Sequence, residues 1–321
     1  MPLWDNEVEA LRPQINAEAE ALFALYGEVG SNADGSAGGD PYADGALEQV
    51  RGMFTTPLSD QAVDRTIARP GGQIRLRTFV PEGGDAQAVM LHIHGGAWIM
   101  GAPEMNDLVN LTLSRELGIA VVSVDYRLAP EHPYPAGHDD CETAALWLLE
   151  HAETEYGSSR LLIGGESAGG HLAAVTLLRM RDRHDAVDRF LGANLVFGVF
   201  DLTQTPSQLG IGAGPDILDP VGMLAAGDMF VPGIALADRR SPDVSPLYAD
   251  LAGMPPALFT AGTADHLVDD TLFMAARWEL AGNRADMLLY PDAPHGCTML
   301  PSVSAHWTPR LLDFFRTCLK D

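Results

Sequence analysis

Apolar residues of this chain fall into short runs that alternate with longer segments of helical periodicity. The short runs predict strands at residues 74–80, 89–94, 119–124, 161–163, 193–199, 257–261 and 287–290. The longer segments predict helices at residues 106–117, 138–156, 167–184, 267–281 and 303–319. Buried strands separated by helices are typical of a mostly parallel sheet with right-handed crossovers. The pattern therefore predicts an α/β fold with helices flanking a central sheet.

The N-terminal part of the chain does not follow this alternation. Residues 5–26 predict an amphipathic helix, because apolar residues such as Val8 and Ile15 recur at helical spacing. Residues 30–45 are rich in Gly, Ser, Asp and Ala, which is typical of a loop or hinge.

A second interruption lies at about residues 201–240, where Gly and Pro are followed by an apolar patch. This segment follows a predicted strand, and doubly wound folds tolerate insertions there. We interpret it, together with the N-terminal segment 1–50, as a helical cap. The catalytic domain is then predicted to span residues 51–321.

The clearest chemical signal is the sequence Gly-Glu-Ser-Ala-Gly from Gly165 to Gly169. It lies between the predicted strand 161–163 and a predicted helix. A Gly-x-Ser-x-Gly sequence in that position places the serine on a sharp turn that exposes its hydroxyl above the sheet. A turn that merely packs small residues is the alternative. Ser167 is the candidate nucleophile.

A serine hydroxyl needs a general base, and the base needs a group that orients it. Asp265 follows the predicted strand 257–261, and His295 follows the strand 287–290. The order Ser, Asp, His is the one found in this kind of fold. Because ligand sites lie at the carboxyl ends of parallel strands, we expect Ser167, Asp265 and His295 to form a triad.

Other acidic residues and histidines compete for these two roles. Asp269 and Asp270 lie in a predicted helix, where a surface position or an interaction with the helix dipole is expected. His266 is adjacent to Asp265 on a turn and is expected to point elsewhere. His306 lies on a predicted helix, at the surface or in the core.

Acyl transfer also needs hydrogen-bond donors aimed at the developing oxyanion. The sequence His-Gly-Gly-Ala-Trp at residues 94–98 follows a strand, in the position of the His-Gly-Gly-Gly loop of lipases and esterases. We expect the amides of Gly95, Gly96 and Ala168 to be the donors. Ala97 replaces the third glycine, which leaves a positive φ at this position in question. A glycine turn without a catalytic role is the alternative.

The sequence contains little that suggests a metal site or disulfide bonds. His92 and His94 share one face of a strand, but a zinc site needs further clustered ligands. His94 is expected to form a hydrogen bond to the backbone and so hold the glycine loop. Cys141, Cys297 and Cys318 are too few and too scattered for a disulfide framework. We predict no metal and no other cofactor.

Charge and hydropathy limit the partners and the location. The chain has 20 basic and 44 acidic residues, a formal net charge of −24, so nucleic acid would be repelled. It contains no run of about 18 apolar residues, so no membrane span is expected. Its first residues lack the features of a secretion signal, and we expect a cytoplasmic protein.

From about residue 70 onward the chain resembles the bacterial hormone-sensitive-lipase-like (family IV) carboxylesterases of the α/β-hydrolase fold. The resemblance rests on the loop 94–98, on Asp-Tyr-Arg-Leu-Ala-Pro-Glu-His-Pro-Tyr-Pro-Ala at 125–136, and on the serine turn. The loops of Asp265 and His295 also fit. Two further departures from the family pattern are Glu166, where Asp or Thr is usual, and His266, where a proline often follows the catalytic Asp.

The resemblance implies hydrolysis of short- to medium-chain carboxylic esters through a covalent acyl-enzyme. It implies a small-molecule ester as the partner and leaves a homodimer open. Arg127 and Glu131 would be structural residues beneath the site. The same triad acting on a lactone, amide or carbamate remains an alternative, as does a non-catalytic small-molecule binder on the same scaffold.

The family's substrate pocket suggests which residues would contact an ester. By resemblance, four large apolar side chains are candidates for lining it, with a core position as the alternative for each. These candidates are Trp98, Phe200, Met223 and Phe230.

Overall fold

The computed structural model describes residues 3–29, 46–53, 55, 57–212, 214 and 216–320. Within these residues, the strands of the central sheet are β1 (Val63–Arg69), β2 (Gly72–Phe79), β3 (Val89–Ile93), β4 (Ala120–Asp125), β5 (Leu161–Glu166), β6 (Phe190–Val196), β7 (Ala257–Gly262) and β8 (Ala285–Tyr290). Their spatial order is β1-β2-β4-β3-β5-β6-β7-β8. Strand β2 pairs antiparallel with β1 and with β4, and the remaining neighbours pair parallel. The predicted mostly parallel sheet is confirmed.

Strand β1 is absent from the sequence-based prediction, and its burial pattern explains why. Of its residues only Ile67 is buried, so neither an apolar run nor a clear alternation marks the strand. The turn that joins β1 to β2 consists of Pro70 and Gly71, a turn-favouring pair. Gly71 has a φ of +75°, a conformation that glycine adopts without steric cost.

Helices cover both faces of the sheet. They are α1 (Asn6–Glu9), α2 (Arg12–Val29), α3 (Ala46–Met53), α4 (Asp107–Leu117), α5 (Ala136–Tyr156), α6 (Ala168–His184), α7 (Pro220–Phe230), α8 (Val268–Leu280) and α9 (Pro301–Cys318). Helices α5, α6 and α8 contribute to one buried apolar cluster, whereas α1, α2, α4 and α9 contribute to a second cluster on the opposite face. Helices on both faces explain why most residues of strands β3 to β7 are buried and apolar.

The predicted N-terminal helix 5–26 is interrupted at residues 10–11 and forms α1 and α2. Pro13 lies in the first turn of α2, where its missing N–H costs no hydrogen bond. Val8 and Ile15 are buried in the cluster that contains α9. The predicted hinge at 30–45 lies outside the described residues.

The segment 201–240 joins β6 to the loop before β7. Its main helix is α7, whose N-cap Asp219 accepts hydrogen bonds from the amides of Val221 and Gly222. A Pro at the first helical position, Pro220, fits the same helix start. We refer to residues 201–240 as the insert.

Candidate active site

The serine turn lies between the end of β5 and the start of α6. Ser167 has φ +56° and ψ −119°, a strained conformation for a residue with a Cβ. Its amide donates to the carbonyl of Val196 at 2.9 Å, which fixes the turn against β6. A Cβ on Gly169 would lie 2.0 Å from the carbonyl oxygen of Ile93, so the helix can approach β3 this closely only with glycine there.

The three predicted triad side chains meet at the carboxyl ends of β5, β7 and β8. Nε2 of His295 lies 3.0 Å from Oγ of Ser167, and its Nδ1 lies 3.0 Å from Oδ2 of Asp265. The other oxygen of Asp265 accepts the amide of Leu267 at 2.7 Å. The Asp265 carboxylate is fully buried. This arrangement has the connectivity of a nucleophile, a base and a group that orients the base.

The environment of His295 adjusts its acidity. Burial opposes protonation of the imidazole, but the carboxylates of Asp265 and Asp216 outweigh burial and raise the pKa of His295 above its ordinary value of 6.5. When the ring is neutral, a proton on Nδ1 donates to Asp265 and leaves the lone pair of Nε2 directed at Ser167. That tautomer is the one a general base requires.

The loop at 94–98 lies directly against the serine turn. A Cβ on Gly96, which has a φ of +115°, would lie 2.1 Å from the carbonyl oxygen of Met100. Ala97 adopts a φ of +52°, so alanine takes the positive φ that its place in the motif left in question. Nδ1 of His94 lies 2.7 Å from the carbonyl oxygen of Gly95, in the holding role expected for it.

A cavity of about 560 Å³, its open mouth included, adjoins Ser167. Its wall is mostly apolar and includes two of the predicted pocket residues, Trp98 and Met223. Phe200 and Phe230 lie in the core instead. Phe200 is fully buried against Phe259, with ring centroids 6.3 Å apart.

Phe230 lies one layer behind the cavity wall. Its ring stacks on Trp98 with centroids 4.4 Å apart and is 2% exposed. For Phe200 and Phe230 the pocket assignment is therefore corrected to core packing. The sequence could not separate the two positions, because large apolar residues serve equally in a core and in a pocket wall.

The competing acids and histidines occupy other environments. Asp270 is fully buried and accepts the amides of Phe200 and Asp201 at 2.7 and 2.8 Å. Of the two alternatives expected for Asp270, the helix-surface position is wrong, because its carboxylate is buried and binds the start of the insert. Asp270 does lie in the first turn of α8, where the helix dipole favours a carboxylate. His306 is buried and hydrogen-bonds the hydroxyl of Tyr290 at 3.0 Å.

Sequence reasoning missed Asp216 of the insert, a charged residue that contacts the loop of His295. Its carboxylate accepts the amides of His295 and His266 at 2.8 and 2.9 Å. Nothing in the local Gly- and Pro-rich sequence marks this residue as special. The available signal was His266 itself, because the proline common at that position has no amide hydrogen to donate.

The histidines that suggested a metal are hydrogen-bonded to protein groups. Nδ1 of His92 lies 2.8 Å from the hydroxyl of Ser123, and Nε2 lies 3.2 Å from the carboxylate of Glu166. In the described part of the chain, no three His, Cys, Asp or Glu side chains group as metal ligands would. None of the helices described is both long and apolar enough to cross a membrane.

Fold and site together define a class of protein. A family model described as the alpha/beta hydrolase fold matches residues 90–299, more than half of the chain. The chain belongs to this family of α/β hydrolases.

Two proteins of similar sequence are named as ester hydrolases. Carboxylesterase NlhH of Mycobacterium tuberculosis is 32% identical over 306 residues, which cover 91% of each chain. Carboxylic ester hydrolase LipN of the same organism is 32% identical over 238 residues, which cover 73% of this chain and 63% of LipN. The match thus spans less than two thirds of LipN.

Solved structures that are similar to this chain are also named as esterases. An esterase from Pyrobaculum calidifontis superposes with a TM-score of 0.73 at 28% identity, covering 95% of this chain and 92% of that one. A bacterial heroin esterase superposes with a TM-score of 0.76 at 28% identity, covering 85% and 90%. The resemblance to hormone-sensitive-lipase-like carboxylesterases is confirmed.

Proposed function

We propose that this protein is a serine carboxylesterase that hydrolyses short- to medium-chain carboxylic esters through a covalent acyl-enzyme. One observation carries the proposal: Ser167, His295 and Asp265 form a continuous hydrogen-bonded chain, with 3.0 Å at each link to the imidazole. Membership in the broader class, the carboxylic ester hydrolases, rests on sequence similarity, since the relatives carry that name.

In the first half of the reaction, Oγ of Ser167 attacks the ester carbonyl while Nε2 of His295 takes its proton. Asp265 holds the Nδ1 proton and stabilises the imidazolium that forms. The imidazolium then returns its proton to the departing alcohol, and the acyl group remains on Ser167. The strained turn at Ser167 supports this role, because it projects the hydroxyl beyond the strand end.

The oxyanion that forms in this step needs donors that are already in place. The amides of Gly95, Gly96 and Ala168 are the proposed donors, and each is worth roughly 10²–10³ in rate. The close packing of the loop 94–98 against the serine turn supports this assignment. In the second half, water activated by His295 attacks the acyl-enzyme and releases the carboxylic acid.

The cavity beside Ser167 supports a small ester as the substrate. Leu218, Met223 and Leu224 give it apolar walls, which suit an acyl or alcohol chain of modest length. A cytoplasmic location and a homodimer stay predictions.

The test is hydrolysis of p-nitrophenyl esters from acetyl to palmitoyl by the wild type and by Ser167→Ala. We expect turnover to peak at short to medium chains and to fall by about 10⁴-fold or more in the variant. Ser304→Ala, on helix α9 and outside the hydrogen-bonded chain of Ser167, His295 and Asp265, is the control and should keep full activity. Because the neutral form of His295 is the base and its pKa is raised, kcat/KM should rise with pH through an acid limb above pH 6.5.

Retention of turnover in Ser167→Ala would remove the nucleophile assignment. A folded wild-type protein that hydrolyses none of these esters would refute the carboxylesterase proposal and point to a lactone, amide or carbamate.

A further inference from the structure

The insert carries a buried carboxylate into the catalytic machinery. Asp216 precedes helix α7, and its side chain is fully buried against the loops that follow β7 and β8. We infer that Asp216 is a positioning residue for the proposed reaction: it ties the loop of the base to the loop of the acid and presents a negative charge to His295. The inference rests on the proposed function of the same triad.

The hydrogen bonds of Asp216 support the tie. Oδ1 accepts the amide of His295 at 2.8 Å, and also the amide of its neighbour Ile217 at 2.7 Å. Oδ2 accepts the amide of His266 at 2.9 Å and lies 3.1 Å from the Nδ1 of that ring. An ionised carboxylate only accepts hydrogen bonds, and all of these partners can donate.

These contacts reach both catalytic loops at the backbone. His295 is the base itself, and His266 directly follows Asp265. One carboxylate therefore fixes the separation of the two loops whose side chains must meet at 3.0 Å. His266 is suited to this bond, because a proline in its place would supply neither the amide hydrogen nor the ring nitrogen.

Among the residues that the structure describes, four titratable groups face Asp216 from the elements packed against it. They are Asp265 and His266 after β7, and His295 and Cys297 after β8. The charge of Asp216 adds to that of Asp265 in raising the pKa of His295. The same charge favours the imidazolium that forms during acylation, so its loss should slow the chemical step as well as change the pH profile.

The experiment compares Asp216→Asn with wild type in kcat and KM from pH 5 to 9. Asn keeps the size of the side chain and removes its charge. We expect the acid limb of kcat/KM to move to lower pH by about 0.5–1 unit, because the pKa of His295 falls. The plateau kcat should drop by about 3–10-fold, with KM within about twofold of wild type, since Asp216 acts on the base rather than on ester binding.

Asp219→Asn is the matched control. It removes another carboxylate of the insert, one that accepts the amides of Val221 and Gly222 at the start of α7. The acid limb and the plateau kcat should stay at their wild-type values in this variant. A shift of the limb in both variants would mean that general loosening of the insert, and not Asp216, is responsible.

Asp216→Ala separates charge from hydrogen bonding, and it keeps the test decisive if Asn is poorly tolerated. Both variants lose the charge, so both should shift the limb equally, whereas Ala should lower kcat further. An unshifted limb and a kcat within twofold of wild type, in variants that melt as wild type does, would overturn the inference.

A second readout needs no ester. The imidazole of His295 is titrated by NMR through its Cε1–H resonance, assigned with His295→Gln. A lower titration midpoint in Asp216→Asn supports the inference, and an unchanged midpoint overturns it. If the wild type hydrolyses no ester, the proposed function fails while this measurement still decides the role of Asp216.

Discussion

Gly169 offers a sharp test of how closely α6 must approach the sheet for Ser167 to be placed correctly. It lies in the first turn of α6, two residues after the serine. A Cβ at this position would lie 2.0 Å from the carbonyl oxygen of Ile93 and 2.6 Å from that of His94. At the next residue, Gly170, the nearest atom would be Cα of Gly198 at 3.1 Å.

These distances set the size of the expected effects. Real Cβ atoms essentially never approach closer than 3.0 Å, so Gly169→Ala must separate helix from strand by about 1 Å. Overpacking of this kind costs about 1–3 kcal/mol. We expect the upper end, since a backbone carbonyl cannot rotate away as a side chain can. A 1 Å displacement of a reacting group can cost about 10²-fold in rate. Gly170→Ala gains about 1 kcal/mol in helix propensity. This gain offsets the cost of the close contact between the new Cβ and Cα of Gly198.

The assay is urea denaturation together with kcat/KM for a short p-nitrophenyl ester. Gly169→Ala should lose about 2–3 kcal/mol of unfolding free energy and about 10²-fold in kcat/KM. Gly170→Ala should stay within about 1 kcal/mol of wild type and keep its activity. Equal stability and activity for the two variants would refute the claim that the contact at Gly169 fixes the nucleophile.

Two buried charges give further predictions. Arg179 is 3% exposed and binds Asp243, Asp139 and Glu142 at 2.6–2.9 Å, so Arg179→Met should cost about 3–5 kcal/mol in urea denaturation; a loss below 1 kcal/mol would contradict this. Burial raises the pKa of Asp270 to about 7. The stability that its raised pKa contributes to the folded protein is therefore fully present below about pH 4 and is lost as the pH rises through 7. The stability difference between wild type and Asp270→Asn should therefore fall from pH 5 to pH 8, and a constant difference would contradict the raised pKa.

The proximity of Ser167, Asp265 and His295 could be predicted from sequence because each residue lies where a readable strand ends. Ser167, Asp265 and His295 follow apolar runs, and parallel strands bring their carboxyl ends to one edge of the sheet. The local signal and the global topology therefore agree. The same reasoning predicted the holding role of His94, since its sequence neighbours belong to the same loop.

What the sequence could not predict depends on contacts between distant segments. Asp216 lies 79 residues from His295, and no periodicity joins the two. Phe200 and Phe230 pack in the core whereas Met223 lines the cavity, and tertiary packing decides this difference. Strand β1 forms because it pairs with β2, and the pattern of apolar residues in its own sequence does not predict it.

The loops of the candidate site are also bound by charged groups from outside the strand–helix alternation. Arg12 of α2 binds Asp292, three residues before His295, at 2.8 Å. Arg51 of α3 donates to the carbonyl of Ile99, just after the glycine loop, at 2.7 Å. Such bonds restrain the loops of the candidate site in the free protein, as the proposed reaction requires. Arg12 thus binds the same loop as Asp216 of the insert, whereas Arg51 binds the chain beside the glycine loop. For the proposed reaction, preorganisation of the site then depends on segments that contribute no reacting atom.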